Sequence, residues 1–302
     1  MISKMKVVDL EQFKSVFPNV TYGNKSKSEV MDIILPDGKP PYPVVVYVHG
    51  GGWFSGTKLV DYMAPIFKII SAGYAIAAVE YRLSTEAIWP AQIHDIKTAL
   101  RFLRKNGGHY GLSTEKIAIW GNSAGAHLAQ MAAAAPNCQE LEDRSMGYAE
   151  ESDHVDMLIS WYGPSNLLTG HQQTLQLFGE EKVETQAIPK LLGGALDEKT
   201  ELAASASPVN YVTSQFPKAL FQHGTADVLV PYLQSKEITE KINALCGNSH
   251  ALLEIFPGEV HGGPAIKADK NIVRCIRFLD NFFEIKRDYD AIALPEIQLK
   301  EV

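Results

Sequence analysis

"KIAIWGNSAGAHLAQMAAAA" occupies positions 116–135. An apolar run ends at Trp120, a G-x-S-x-G turn fills 121–125, and an alanine-rich segment follows. Apolar, β-branched residues favour a strand and alanine favours a helix, so the stretch predicts strand, turn, helix. A turn this short must hold its central residue in a strained conformation and push Ser123 out at the tip. Gly121 and Gly125 fit because neighbouring backbone crowds both positions. The plainer alternative for Ser123 is an N-cap in a tight turn.

The pattern repeats on either side. "PVVVYVHG", "YAIAAVEYR", "HVDMLISWYG", "KALFQHGT" and "ALLEIFPG" are apolar nearly throughout, as strands covered on both faces are. Helical patterns alternate with them. In "PAQIHDIKTALRFLRKNGG", Ile93, Ile96, Leu100 and Leu103 share a face, and Gly107 and Gly108 stop the helix. "NIVRCIRFLDNFFEIK" carries Ile272, Cys275, Ile276, Leu279 and Phe283 at similar spacing. Alternating strands and helices predict an α/β fold: a mostly parallel, doubly wound sheet with helices on both faces. We read residues 1–302 as one such domain. Residues 164–208 show no strong strand pattern and are expected to form a cap-like insertion over one end of the sheet. Before Val44 one strand is expected, in "SEVMDIILP", followed by a turn at an edge in "DGKPPYP". The tail after Arg287 is expected at the surface.

The 302 residues are 46% hydrophobic, enough for a substantial core, and carry a formal charge of -7. The acidic balance argues against a nucleic-acid partner. Charges interrupt every apolar run of the first 17 residues, and no stretch approaches the roughly 18 apolar residues of a membrane span. No membrane partner and a cytoplasmic location are therefore expected, while a homo-oligomer stays open. Cys138, Cys246 and Cys275 are scattered without metal-ligand spacing and read as free thiols in a reducing compartment.

A serine hydroxyl needs a base and an electrophilic site for the oxyanion it creates. "HGGGW" at 49–53 follows a strand directly, and bare glycine backbone can approach an oxygen closely. The N–H groups of Gly51, Gly52 and Ala124 are the candidate oxyanion hole. His49 is read as orienting that loop. On an elbow of this kind the partners follow in the order Ser, acid, His. Asp227 stands just past one strand end in "HGTADVLVP", and His261 follows the next strand in "FPGEVHGG". Ser123, Asp227 and His261 are thus the candidate catalytic residues. His223 precedes Asp227 and breaks the order; His250 lies at the wrong strand end.

Together "HGGGW", "YRLSTE", "WPAQIHD", "GNSAGAHLA", "HGTADVLVP" and the final "HGG" resemble the α/β-hydrolase superfamily. Within it the chain is similar to hormone-sensitive-lipase-like carboxylesterases and to feruloyl- and acetyl-xylan-esterase-like hydrolases. "GNSAGAH" departs from the "GDSAGG" of the former and looks more like feruloyl-esterase-like and kynurenine-formamidase-like groups. The resemblance implies acyl transfer to serine and then to water, with no cofactor or metal and a small-molecule ester as substrate. An amidase or peptidase with the same machinery, or a non-catalytic binding protein, are the alternatives. Trp53 and Trp161 are candidate substrate-binding walls, each weighed against plain core packing. With apolar residues from 167–192 they would suit short or aromatic acyl groups.

Overall fold

The computed structural model describes residues 5–179 and 186–302. The parts of the sequence reading that fall on 1–4 and 180–185 lie outside the described residues. The six apolar runs all form strands: β4 Tyr42–Val48, β5 Ala75–Val79, β6 Leu112–Asn122, β7 Met157–Trp161, β8 Lys218–Gly224 and β9 Ala251–Phe256. The expectation that all six are covered on both faces is corrected for β9, the edge of the sheet, where only Ala251 is buried and Leu252 is 41% exposed. The expected strand before them is β3 Val30–Leu35. Two further strands precede it, β1 Lys6–Val8 and β2 Ser15–Thr21. The expectation of a single strand before Val44 is therefore corrected. The turn in "DGKPPYP" enters β4 in the middle of the sheet. The outer edge on that side is β2, which holds Pro18 and Asn19 and is mostly solvent-facing.

The eight-stranded sheet runs β2-β3-β5-β4-β6-β7-β8-β9. Its first two pairings are antiparallel and the other five parallel. The tail is mostly exposed, as expected, but it also forms β10 Leu299–Glu301, which pairs with β1 and closes the chain ends together.

Side chains alternate across each strand, so the sheet carries a core on each face. Val44, Val46 and Val48 of β4 face one core; Val45 and Tyr47 face the other. The helices are α1 Ala64–Phe67, α2 Ala91–Asn106, α3 Ala124–Ala134, α4 Gly170–Phe178, α5 Ala187–Leu192, α6 Thr200–Ser205, α7 Leu233–Cys246, α8 Pro264–Lys267 and α9 Asp269–Phe283. Residues of α2, α3 and α7 fill the first core, and those of α1 and α9 the second. α2 ends where its glycines begin, but the chain makes one more tight turn and reverses at Gly111, φ 76°. Every residue of α3 is buried; its small alanines let it lie close against β6 and β7. Between 164 and 208 the described residues form α4, α5 and α6 and no strand.

Candidate active site

Ser123 sits between β6 and α3 with φ 52° and ψ -123°, a conformation L-residues avoid. Two close crossings impose it. A β-carbon on Gly121 would strike the backbone of Gly125, and one on Gly125 would strike the carbonyl oxygens of Val48 and His49. Hydrogen bonds from Ser123 N–H to Trp161 O (2.9 Å) and from His127 N–H to Ser123 O (3.0 Å) fix the turn.

Asp227 and His261 emerge after β8 and β9, on the same side as Ser123. His261 Nε2 lies 2.9 Å from Ser123 Oγ, and His261 Nδ1 lies 2.7 Å from Asp227 Oδ2. The N–H groups of Leu229 and Val230 donate to Asp227 Oδ1 at 3.0 and 2.9 Å. Burial pushes the Asp227 carboxyl up, but hydrogen bonds from His223 and His261 outweigh it and bring its pKa down to about 2. His250 is remote from this group and bonds Phe216 O at 2.7 Å.

Gly51, Gly52 and Ala124 line the same cavity as Ser123 and His261, a space of about 820 Å³. Among the described residues none of these three amides has a protein acceptor. Gly50 N–H and Tyr47 Oη–H both donate to Asn122 Oδ1, tying the glycine loop to the serine turn. The amides of Gly51, Gly52 and Ala124 are thus donors without a protein partner among the described residues on the wall of the cavity, and Ala124 opens the N-terminal end of α3.

The two tryptophans part ways. Trp53 lines the cavity, and its Nε1–H donates to His127 Nδ1 at 3.1 Å. Trp161 does not line it. It points from β7 into the second core, edge-on to Trp120, with its Nε1–H on Gln222 Oε1 at 2.6 Å. The substrate-wall reading of Trp161 is corrected to core packing. The next residue, Tyr162, breaks from the strand at φ 42° and lines the cavity instead, its ring edge-on to His261. Apolar side chains from 167–192 also reach the cavity, among them Leu167, Leu175 and Ile188.

Two polar residues, His127 and Glu80, escaped the sequence reading, and a third, His223, was weighed there only as a competing base. His127 lies one helical turn past Ser123 in "GNSAGAH", fully buried between Trp53 and Trp89. His223 lies beneath Asp227 in "HGTAD", and Glu80 bonds His49. The two histidines were visible as motif residues; nothing local distinguished Glu80.

The sequence profile of the BD-FAE family matches residues 31–242, most of the chain and all of the sheet between β3 and β8. The chain belongs to the BD-FAE family. Esterase LipC of Mycobacterium tuberculosis is 28% identical to this BD-FAE chain over 248 residues, covering 80% of the chain and 59% of LipC. The chain spans little more than half the length of the curated relatives it matches. A truncated carbohydrate esterase from gut microbiota superposes with a TM-score of 0.80 at 26% identity, over 91% of this chain and 99% of that one. A bifunctional GH43-CE protein of Bacteroides eggerthii gives 0.76 at 28% identity, over 88% and 35%. With the largely parallel sheet, these likenesses make the BD-FAE chain an α/β-hydrolase fold.

Proposed function

We propose that the protein is a serine hydrolase of carboxylic esters, acting through an acyl-enzyme. The observation that carries the proposal is the unbroken contact series from Ser123 Oγ through His261 to Asp227, opening on a cavity with three unspent amides. In this reading His261 Nε2 takes the Ser123 proton as Oγ attacks the ester carbonyl. The negative oxygen of the tetrahedral intermediate rests on the N–H groups of Gly51, Gly52 and Ala124; each such donor contributes roughly 3–4 kcal/mol to lowering the barrier. His261 returns the proton to the departing alcohol, then activates a water that releases the acid. Asp227 holds the imidazole tautomer and stabilises its cation.

Mixed apolar and polar walls from 164–208 would form the substrate side and favour short or aromatic acyl groups. The likeness to the gut-microbiota carbohydrate esterase supports a sugar as the alcohol half. Among the described residues no helix is long and apolar enough to cross a membrane. The three cysteines are unpaired, which supports a reducing, cytoplasmic setting.

Purified protein should hydrolyse p-nitrophenyl acetate and butyrate, and Ser123→Ala should abolish turnover. Full turnover in the alanine variant would refute the assignment. A panel of acetylated sugars, feruloyl esters, N-formyl amides and aminoacyl amides ranks the acyl and alcohol classes; faster cleavage of the amides would favour the amidase alternative.

A further inference from the structure

The loop that carries Gly51 and Gly52 is unusual for its backbone. Gly51, Gly52 and Trp53 take φ values of 118°, 59° and 63°, three left-handed residues in a row. Tryptophan has no intrinsic preference for that region, and such a run persists only where surrounding structure over-determines it. The loop therefore needs tethers at both ends.

Both tethers converge on Glu80, the residue after β5. Its N–H bonds Val30 O at 2.9 Å and its carbonyl accepts Tyr22 Oη–H at 2.6 Å, so its backbone is pinned to the sheet. Its Oε1 accepts from His49 Nε2 at 3.1 Å, at the loop's start. Its Oε2 accepts from Thr57 Oγ1 at 3.0 Å and from Lys58 N–H at 3.1 Å, at the loop's end. The neighbouring Tyr81 stacks on the His49 ring, centroids 4.4 Å apart, and its hydroxyl donates to His49 O at 3.0 Å. We propose that Glu80 is the positioning residue of the oxyanion amides: one carboxylate closes residues 49–58 into a fixed arch whose crown aims Gly51 and Gly52 N–H at the carbonyl above Ser123. The proposal rests on the esterase reading of Ser123.

The chemistry requires an anion. Three donors meet two oxygens, a demand a carboxylate satisfies and an amide, with one acceptor oxygen, does not. Burial pushes the Glu80 carboxyl up, and the His49 and Lys58 contacts outweigh it, leaving its pKa below the ordinary value. The Lys58 ammonium, 4.0 Å from Oε2 and 3.6 Å from Asp32, supplies the nearby positive charge. Because the arch meets the reacting oxygen only as charge develops on it, its loss should appear in kcat and leave KM nearly unchanged.

The test is Glu80→Gln in the full chain. Misaimed donors should lower kcat by about 10- to 100-fold with KM little changed. Affinity for a trifluoromethyl ketone, which adds to Ser123 as a tetrahedral adduct, should fall by the same factor as kcat/KM. Hydrogen exchange of the 49–58 amides should quicken while that of α3 does not. Thr57→Val removes a single bond and should shift kcat and exchange in the same direction by a smaller amount; it carries the test if Glu80→Gln fails to fold. A folded variant with unchanged exchange, or a loss confined to KM, would overturn the positioning role. Exchange needs no turnover, so a wild-type chain inert to every ester would refute the esterase reading separately.

Discussion

His223 Nε2 lies 3.2 Å from Asp227 Oδ2, the oxygen that also stands 2.7 Å from His261 Nδ1. One carboxylate oxygen thus serves two imidazoles, and the other serves two backbone amides. His223 also donates to Val230 O at 2.8 Å and meets Ser235 Oγ at 2.8 Å, so the carboxylate plane is held from below by α7 and its preceding loop. A carboxylate this well supplied with donors stays ionised, as the proposed role of Asp227 beside His261 requires.

Asp227→Asn keeps the shape and the Oδ1 acceptor for Leu229 and Val230 but offers His261 an amide. The imidazole then settles in the wrong tautomer, and kcat should fall on the order of 10⁴-fold with the fold retained. Steady-state kinetics with circular dichroism check this; a near-normal rate would point to another acid.

Stability should fall in mild acid through His127. The ring is fully buried, with Nε2–H on Ala206 O at 2.6 Å and Nδ1 accepting from Trp53. Burial lowers its pKa to about 4, with the Ala206 bond opposing. In the unfolded chain a histidine titrates near 6.5, so between about 6.5 and about 4 the unfolded state binds a proton that the folded state refuses. The contribution is present in full above the unfolded value and is lost as pH falls toward about 4, on the order of 3 kcal/mol in all. Urea melts at a series of pH values should show this slope in the wild type and lose that share of it in His127→Gln. An identical slope in both would rule out His127 as its source.

Gly125→Ala should be severely destabilising, because the new β-carbon meets the carbonyls of Val48 and His49, backbone that cannot step aside. A loss of about 3 kcal/mol or more is expected from such overpacking. Gly108→Ala is the control: it meets nothing within 4 Å and should melt like the wild type. Equal melting of the two variants would count against the tight crossing.

Trp161→Phe should cost about 1–2 kcal/mol through the lost bond to Gln222 and leave KM unchanged. Ile188→Ala, at a half-buried cavity wall, should do the reverse and alter the preference among acyl chain lengths. A KM change in Trp161→Phe would restore that residue to the substrate wall.

Much of the fold was legible locally. Strands β4 to β8 announced themselves because strands covered on both faces are apolar at most positions; β9 showed the same kind of run although it is the half-exposed edge of the sheet. Burial at every position hid the phase of β7: with no exposed residue to alternate against, the pattern cannot say which face receives Trp161. Strand β2 was invisible for the opposite reason, since an exposed edge with Pro18 and Asn19 needs no apolar pattern and its register even slips between Phe17 and Val20.

The amino-acid order alone determined the strand–turn–helix at Ser123, the glycines at 50–52 and the placing of Asp227 and His261 after successive strands, because each depends on residue type and near neighbours. Tertiary structure decided which face took Trp161, that β10 would pair with β1, and that Glu80 would meet His49, Thr57 and Lys58. Those partners lie tens to hundreds of residues apart, and only the assembled fold, with its parallel strands side by side and its two chain-end strands paired antiparallel, sets the distances between them.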